Sequence, residues 1–144
     1  LGRLLGELLS HHLQHAFSEG LARPDLLLPV PLSSRRLRQR GFNQAGMLAR
    51  WLSQSLQLTL NEHLLQRRQD TPAQQQLSAA QRRRNLRQAF ELAPDGQVKG
   101  LHLAVVDDVL TTGATAESIA RLLRKAGAAR VDVYCLARTP KPGD

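Results

Sequence analysis

Sulfur is almost missing from this chain. Cys135 is the only cysteine, which excludes an internal disulfide and any cysteine-built zinc site within these residues. Aromatic side chains make up 3% of the 144 residues, so the core has to be assembled from Leu, Ala, Val and Ile. No apolar run approaches the ~20 residues that a membrane helix needs, and no partner membrane is expected. No secretory signal pattern opens the chain, and the expected location is a reducing cytoplasm. The chain starts at Leu1 rather than Met, which reads as a domain excised or truncated from something longer. Acid is also scarce: 12 Asp and Glu stand against 20 Lys and Arg, a net charge of +8. Nearly all of that excess is arginine, which points to anionic partners: nucleic acid, nucleotides or pyrophosphate.

What is present suffices for one domain, residues 1–144, with a real core, since 42% of the residues are hydrophobic. Residues 1 to about 19 repeat Leu1, Leu4, Leu5, Leu8, Leu9, Leu13, Ala16 and Phe17 at helical spacing, with Gly20 as the stop. The run from Asp25 to Pro31 reads as a buried strand entering a loop, and Ser33 to Phe42 as a basic loop. Asn43 caps a helix to about Leu56, with Ala45, Leu48, Ala49, Leu52 and Leu56 inward. A further strand is expected over about 58–66, followed by a polar, structureless stretch over 67–76. Ser78 to Gln81 is a capping-box pattern, opening a short helix that carries Arg82, Arg83, Arg84 and Arg87. A strand in RQAFELAP leads to a turn at Pro94-Asp95-Gly96. Leu101 to Val106 suits a strand buried on both faces; Thr115 to Ala126 is a helix closed by Gly127, and Val131 to Ala137 a last strand. Residues 138–144 read as a loose tail. The alternation predicts an α/β fold with a mostly parallel sheet flanked by helices.

The densest chemistry is LHLAVVDDVLTTGATAESIA, residues 101–120. Ligands of open parallel sheets bind at the carboxyl ends of strands, and Asp107 and Asp108 fall there. Thr111, Thr112, Gly113, Ala114 and Thr115 connect them to a helix. Amides at a helix start attract a phosphate, glycine allows close backbone approach and the threonines add hydroxyl donors. The carboxylates repel that phosphate but match the two hydroxyls of a vicinal diol. Phosphate beside diol describes a ribose 5-phosphate. Neighbouring strand residues point to opposite faces, so both acids can reach one sugar only if the chain leaves strand geometry near them. The patterns of a P-loop and of a Rossmann dinucleotide site are both missing.

VVDDVLTTGAT resembles the signature of type I phosphoribosyltransferases, which bind phosphoribosyl pyrophosphate (PRPP). With PVPLSSRRLRQRGFNQA (29–45) and RRQDTPAQQQLSAAQRRRN (67–85), it resembles the ComF/GntX branch of phosphoribosyltransferase-like proteins, over about Leu26 to Arg138. That resemblance implies a type I phosphoribosyltransferase fold and an association with bacterial competence and DNA uptake. It implies that Asp107 and Asp108 form the catalytic acid pair and that Ser33, Ser34, Arg35, Arg36, Arg38 and Arg40 grip pyrophosphate. It makes 67–84, with Arg67, Arg68, Arg82, Arg83 and Arg84, a flexible loop over the site. Magnesium is the expected cofactor, brought in with PRPP and met by Asp107 and Asp108. The activity implied is phosphoribosyl transfer to a nitrogenous acceptor. The alternatives are a non-catalytic module that senses PRPP or a nucleotide and acts through competence or DNA-processing partners, and weak nonspecific binding of nucleic acid by the basic segments.

Members of that family usually carry an N-terminal four-cysteine zinc element, which this chain lacks. His11, His12 and His15 read as exposed helix residues, with a metal site as the sharper alternative; Trp51 reads as core, and Phe42 as packing or as a stacking surface beside the arginines. The arginines at 82–87 read equally well as a solvated face.

Overall fold

The computed structural model describes residues 2–32, 34–68, 78–81, 89–110 and 113–138, with the backbone alone at 34–36, 109–110 and 137–138. Its center is a parallel sheet of β1 (Leu26–Pro29), β4 (His102–Leu110) and β5 (Arg130–Arg138), in the order β1-β4-β5. Between β1 and β4 in the chain, β2 (Leu65–Arg67) and β3 (Phe90–Leu92) pair antiparallel as a separate two-stranded sheet. The helices whose bounds are described are α1 (Gly2–Ser18), α2 (Ser34–Arg40), α3 (Gln44–Leu56) and α4 (Ala114–Lys125). This is the expected α/β architecture.

Strand β4 is apolar on both sides because both sides are covered. Leu103 and Val105 belong to one layer with Leu28, Val30, Phe90, Ile119 and Leu123, beneath α4 and the β2–β3 pair. Ala104 and Val106 belong to the other with Leu27, Leu48, Leu52, Leu56 and Tyr134, beneath α1 and α3. All four β4 residues are fully buried, as expected for a central parallel strand. In α3 the five predicted inward residues are indeed buried, and Gly46 with them. Helix α1 uses less of its apolar arc than its spacing suggests. Leu13 is buried, whereas Leu4 and Leu8 are 56% and 58% exposed. Trp51 packs against α1, within 3.3 Å of where a Cβ on Gly6 would stand. Among the described residues no helix is long and apolar enough to cross a membrane.

Three readings change. The basic stretch from Ser34 to Arg40 is a helix rather than a loop. Its Arg, Leu and Gln residues are good helix formers, and Gly41, at φ 80°, ends it with its amide on the Leu37 carbonyl. The strand expected over 58–66 is broken by Asn61, whose Oδ1 accepts the amides of His63 and Leu64, both at 3.0 Å. Only Leu60 bridges to Leu27 before the break, and β2, formed after it, includes Arg67 instead of leaving it in a structureless stretch. Finally, β4 does not stop at Val106 but runs on to Leu110, because β5 continues beside it and pairs Val109 with Ala137 and Leu110 with Arg138. The capping box is as expected, Ser78 and Gln81 exchanging side chain-to-amide bonds of 2.9 and 3.2 Å; residues 82–88, where the rest of that helix is expected, lie outside the described residues.

Candidate functional site

Strand β1 ends early. Pro29 and Pro31 offer no N–H, and the last ladder bond from β1 runs from the Val30 amide to the Val106 carbonyl, 2.9 Å. Strand β4 therefore outruns β1 at Asp107. After β1 the chain passes through α2 and α3 and returns to the far side of β1 at Leu60, whereas after β4 it passes through α4 to β5 on the other side. The two excursions leave neighbouring strands in opposite directions and cover opposite faces, which opens a crevice at the carboxyl ends of β1 and β4. Such a switch point is where open α/β sheets bind ligands.

Asp107 and Asp108 lie on β4 just beyond the end of β1, at that switch point. Strand alternation places Asp107 on the α4 side with Leu103 and Val105, and Asp108 on the α3 side with Ala104 and Val106. The register runs through Asp107 opposite Cys135 and resumes at Val109 opposite Ala137, while the Asp108 amide donates to Asp107 Oδ1 at 2.8 Å. Strand β4 continues to Leu110, but its pairing skips Asp108 and the Asp107 side chain folds onto the next amide, so strict alternation is relaxed at the acid pair. Burial pushes the Asp107 carboxyl up to about 6; the hydrogen bond with the Asp108 side chain and the neighbouring charge add to the rise, and the Asp108 amide opposes it. Asp108 Oδ2 lies 3.9 Å from Arg40 Nη1, and that same nitrogen donates to Gln44 Oε1 at 3.1 Å.

After β4 in the chain, Gly113 caps α4 at φ 79° without any side-chain cap bond. Nothing lies within 4 Å of where its Cβ would be, so an incoming group can approach the backbone there. Ala114 and Thr115 form the first turn of α4, one residue earlier than the spacing suggests. Asn43, the cap of α3, accepts the Ala45 amide at 3.1 Å and donates from Nδ2 to the Val30 carbonyl at 3.2 Å.

Arg40, Asp108, Asp107, Gly113, Ala114 and Thr115 are thus drawn to one end of the sheet, and Arg38 is exposed on α2 nearby in the chain. Ser34, Arg35 and Arg36 lie in α2 with only their backbone described; Ser33, Thr111, Thr112, Arg82, Arg83 and Arg84 lie outside the described residues. Arg67 and Arg68 are engaged elsewhere: the Arg67 guanidinium lies 5.0 Å from the Phe90 ring centroid, and Arg68 Nε lies 3.5 Å from Glu91 Oε2. His11, His12 and His15 are exposed on α1, and Phe42, beside Arg40, is 46% exposed.

Pattern reading missed a second polar group, at the amino end of the sheet. His102 Nε2 lies 2.8 Å from Asp132 Oδ2, Arg130 Nε donates to Asp132 Oδ1 at 3.0 Å, and the His102 amide donates to Asp25 Oδ2 at 2.8 Å. The Tyr134 hydroxyl, two residues along β5, is buried and finds no hydrogen-bond partner among the described residues. Its pKa is pushed up to about 12, first by burial and then by the Asp132 charge, with Arg130 and Arg23 opposing.

A family model described as "Phosphoribosyl transferase domain" matches residues 39–143. The chain is 46% identical over 139 residues to "DNA utilization protein YhgH" of Salmonella typhi, covering 96% of this chain and 59% of that protein. It is 41% identical over 119 residues to "Competence protein F" of Haemophilus influenzae, covering 82% and 52%. It therefore spans little more than half the length of these relatives. Among solved structures, the glutamine PRPP amidotransferase from B. subtilis complexed with ADP and GMP is similar with a TM-score of 0.60 and 24% identity, over 92% of this chain and 25% of that one. The purine phosphoribosyltransferase from Pyrococcus horikoshii gives 0.55 and 18%, over 94% and 71%. The family match carries the assignment and the structural likenesses agree with it in fold: the chain belongs to the phosphoribosyl transferase domain family, in the group whose curated members bear competence and DNA utilization names.

Proposed function

We propose that this domain binds PRPP and transfers its phosphoribosyl group to a nitrogenous acceptor with release of pyrophosphate, in nucleotide salvage or in the handling of DNA during uptake, within the cytoplasm. The observation that carries this reading is the β1/β4 switch point, whose carboxyl end brings together the acid pair, Arg40 within 3.9 Å of Asp108, and an open glycine at a helix start. In that reading Asp107 and Asp108 accept hydrogen bonds from the 2′ and 3′ hydroxyls of ribose. The backbone from Gly113 to Thr115, with Thr111 and Thr112, holds the 5′ phosphate. Arginines of α2, Arg40 first among them, meet the pyrophosphate.

The bond from ribose C1 to the pyrophosphate oxygen breaks, and the electron pair leaves with pyrophosphate. The sugar becomes oxocarbenium-like, the acceptor nitrogen supplies the pair for the new bond, and its proton goes to solvent. Two carboxylates under the ring stabilise the positive sugar, and fixed guanidinium groups stabilise the departing charge. Among the described residues no group of three or more His, Cys, Asp or Glu could hold a metal. Two carboxylate side chains do fit magnesium, a hard cation that usually keeps substrate oxygens and waters as its other ligands. When bound, it would neutralise charge on pyrophosphate.

The names borne by the relatives favour a second reading, a PRPP-sensing module that acts through DNA-processing partners without turnover. Calorimetry with PRPP and magnesium, followed by a screen of nucleobases for pyrophosphate release, tests both. Micromolar binding with release supports transfer. Binding without release for any base leaves the sensor, and no binding removes both.

A further inference from the structure

Helix α2 is the part of the site with the least to hold it. The four side chains described in it, Leu37 to Arg40, are all exposed, Leu37 by 43%, and none joins either apolar layer. Seven residues rich in like charge do not sustain a helix alone in water. Gly41 ends α2 at positive φ, and the next described side chain with buried work to do is Asn43.

Asn43 makes two bonds in two directions. Its Oδ1 accepts from Ala45 and starts α3, while its Nδ2 donates to the Val30 carbonyl thirteen positions earlier. The Val30 amide in turn donates to the Val106 carbonyl, one residue before the acid pair. A continuous line of hydrogen bonds therefore joins β4, the end of β1 and the start of α3, and α2 is the inside of the loop that Asn43 closes. With that loop closed, Arg40 reaches both Gln44 and Asp108. We propose that Asn43 is a positioning residue whose Nδ2 bond to Val30 fixes the arginine helix α2 over the carboxyl end of β4, so that α2 is pre-organised for the pyrophosphate end of the ligand. The geometry stands alone; the choice of ligand rests on the phosphoribosyl reading.

The two bonds are separable. Asn43→Ser keeps an oxygen for the α3 cap and removes the reach to Val30; Asn43→Asp keeps the oxygen and loses the donor, and serves if the first variant fails to fold. Both are compared with wild type by thermal melting, by amide exchange of peptides spanning 34–42, and by calorimetry with PRPP plus magnesium and with ribose 5-phosphate. The expected result is a near-native melting temperature, exchange over 34–42 faster by roughly tenfold, PRPP affinity lower by about tenfold and ribose 5-phosphate affinity unaltered. Wild-type exchange over 34–42 overturns the proposal, and so does an equal loss for both ligands. A wild-type chain that binds neither ligand fails the phosphoribosyl reading only, and the exchange result still decides the role of Asn43.

Discussion

The two ends of the central sheet both carry acids and arginines, and they use them differently. At the amino end, Asp132 meets a histidine at 2.8 Å and an arginine at 3.0 Å, and Asp25 accepts the first amide of β4. At the carboxyl end, two acids stand side by side, one folded onto its neighbour's amide, and the arginine stops at 3.9 Å. The amino end is an electrostatically settled set of partners and serves the fold. The carboxyl end leaves a half-buried carboxyl, Asp107, pushed up to about 6. Here burial and the neighbouring acid disfavour the charge, a pattern that functional sites commonly share.

The largest effect expected from this contrast is on ligand binding. Because the acid pair is read as the diol receptor, Asp107→Asn with Asp108→Asn should weaken PRPP–magnesium binding by at least about 100-fold, from two charge-assisted hydrogen bonds at about 1.5–3 kcal/mol each. Circular dichroism and melting should show the fold intact. Calorimetry checks the affinity, and wild-type affinity in the double variant would sink the diol assignment. The mirror experiment is Asp132→Ala, which should leave PRPP affinity as it is and lower unfolding free energy by about 1–3 kcal/mol, since His102 and Arg130 lose a shared acceptor. If denaturant titration finds no loss, the amino end is not the settled one.

Much of this contrast could be read from the chain, and the part that could not has a physical cause. The β4 run was legible because four consecutive apolar residues suit only a strand covered twice, and the acid pair with T-T-G-x-T because its chemistry is local. Asn43 was legible as a cap, since capping acts two residues away, but its bond to Val30 spans thirteen positions. The His102–Asp132 pair spans 30 positions and the Asp25–His102 bond 77, and no local pattern marks either. The helix α2 carried no apolar stripe to announce it, and the end of β4 was set by β5 rather than by its own residues.

A smaller effect separates the ends by pH. The ordinary value for Asp107 is 3.8 and the folded value about 6. Below the lower value the group is protonated folded and unfolded, and its contribution is fully present; as pH rises through the higher value the folded carboxyl must ionise against burial, and the contribution is lost. Asp107→Asn should therefore match wild type near about pH 3.5 and exceed it by about 1–2 kcal/mol near about pH 8, after discounting for solvent screening of a half-exposed group. Urea titrations across that range check it. A difference that shrinks as pH rises has the wrong sign for this account.

The smallest effect is the most direct comparison, because Arg40 and Arg130 are each 49% exposed and each faces an aspartate. Exposed pairs of this kind contribute little, and Arg130→Gln leaves Asp132 its histidine, so the variant should lose less than about 0.5 kcal/mol. Arg40→Gln should lose no more than that, because a 3.9 Å contact in solvent is weaker still. Both are measured as shifts in the urea midpoint at low and high salt. The telling result would be a loss of about 3 kcal/mol or more for Arg40→Gln, the size expected when one partner of a buried pair is removed. That would mean the arginine helix is bound to the acid pair as part of the folded core, and the carboxyl end would then be as settled as the amino end.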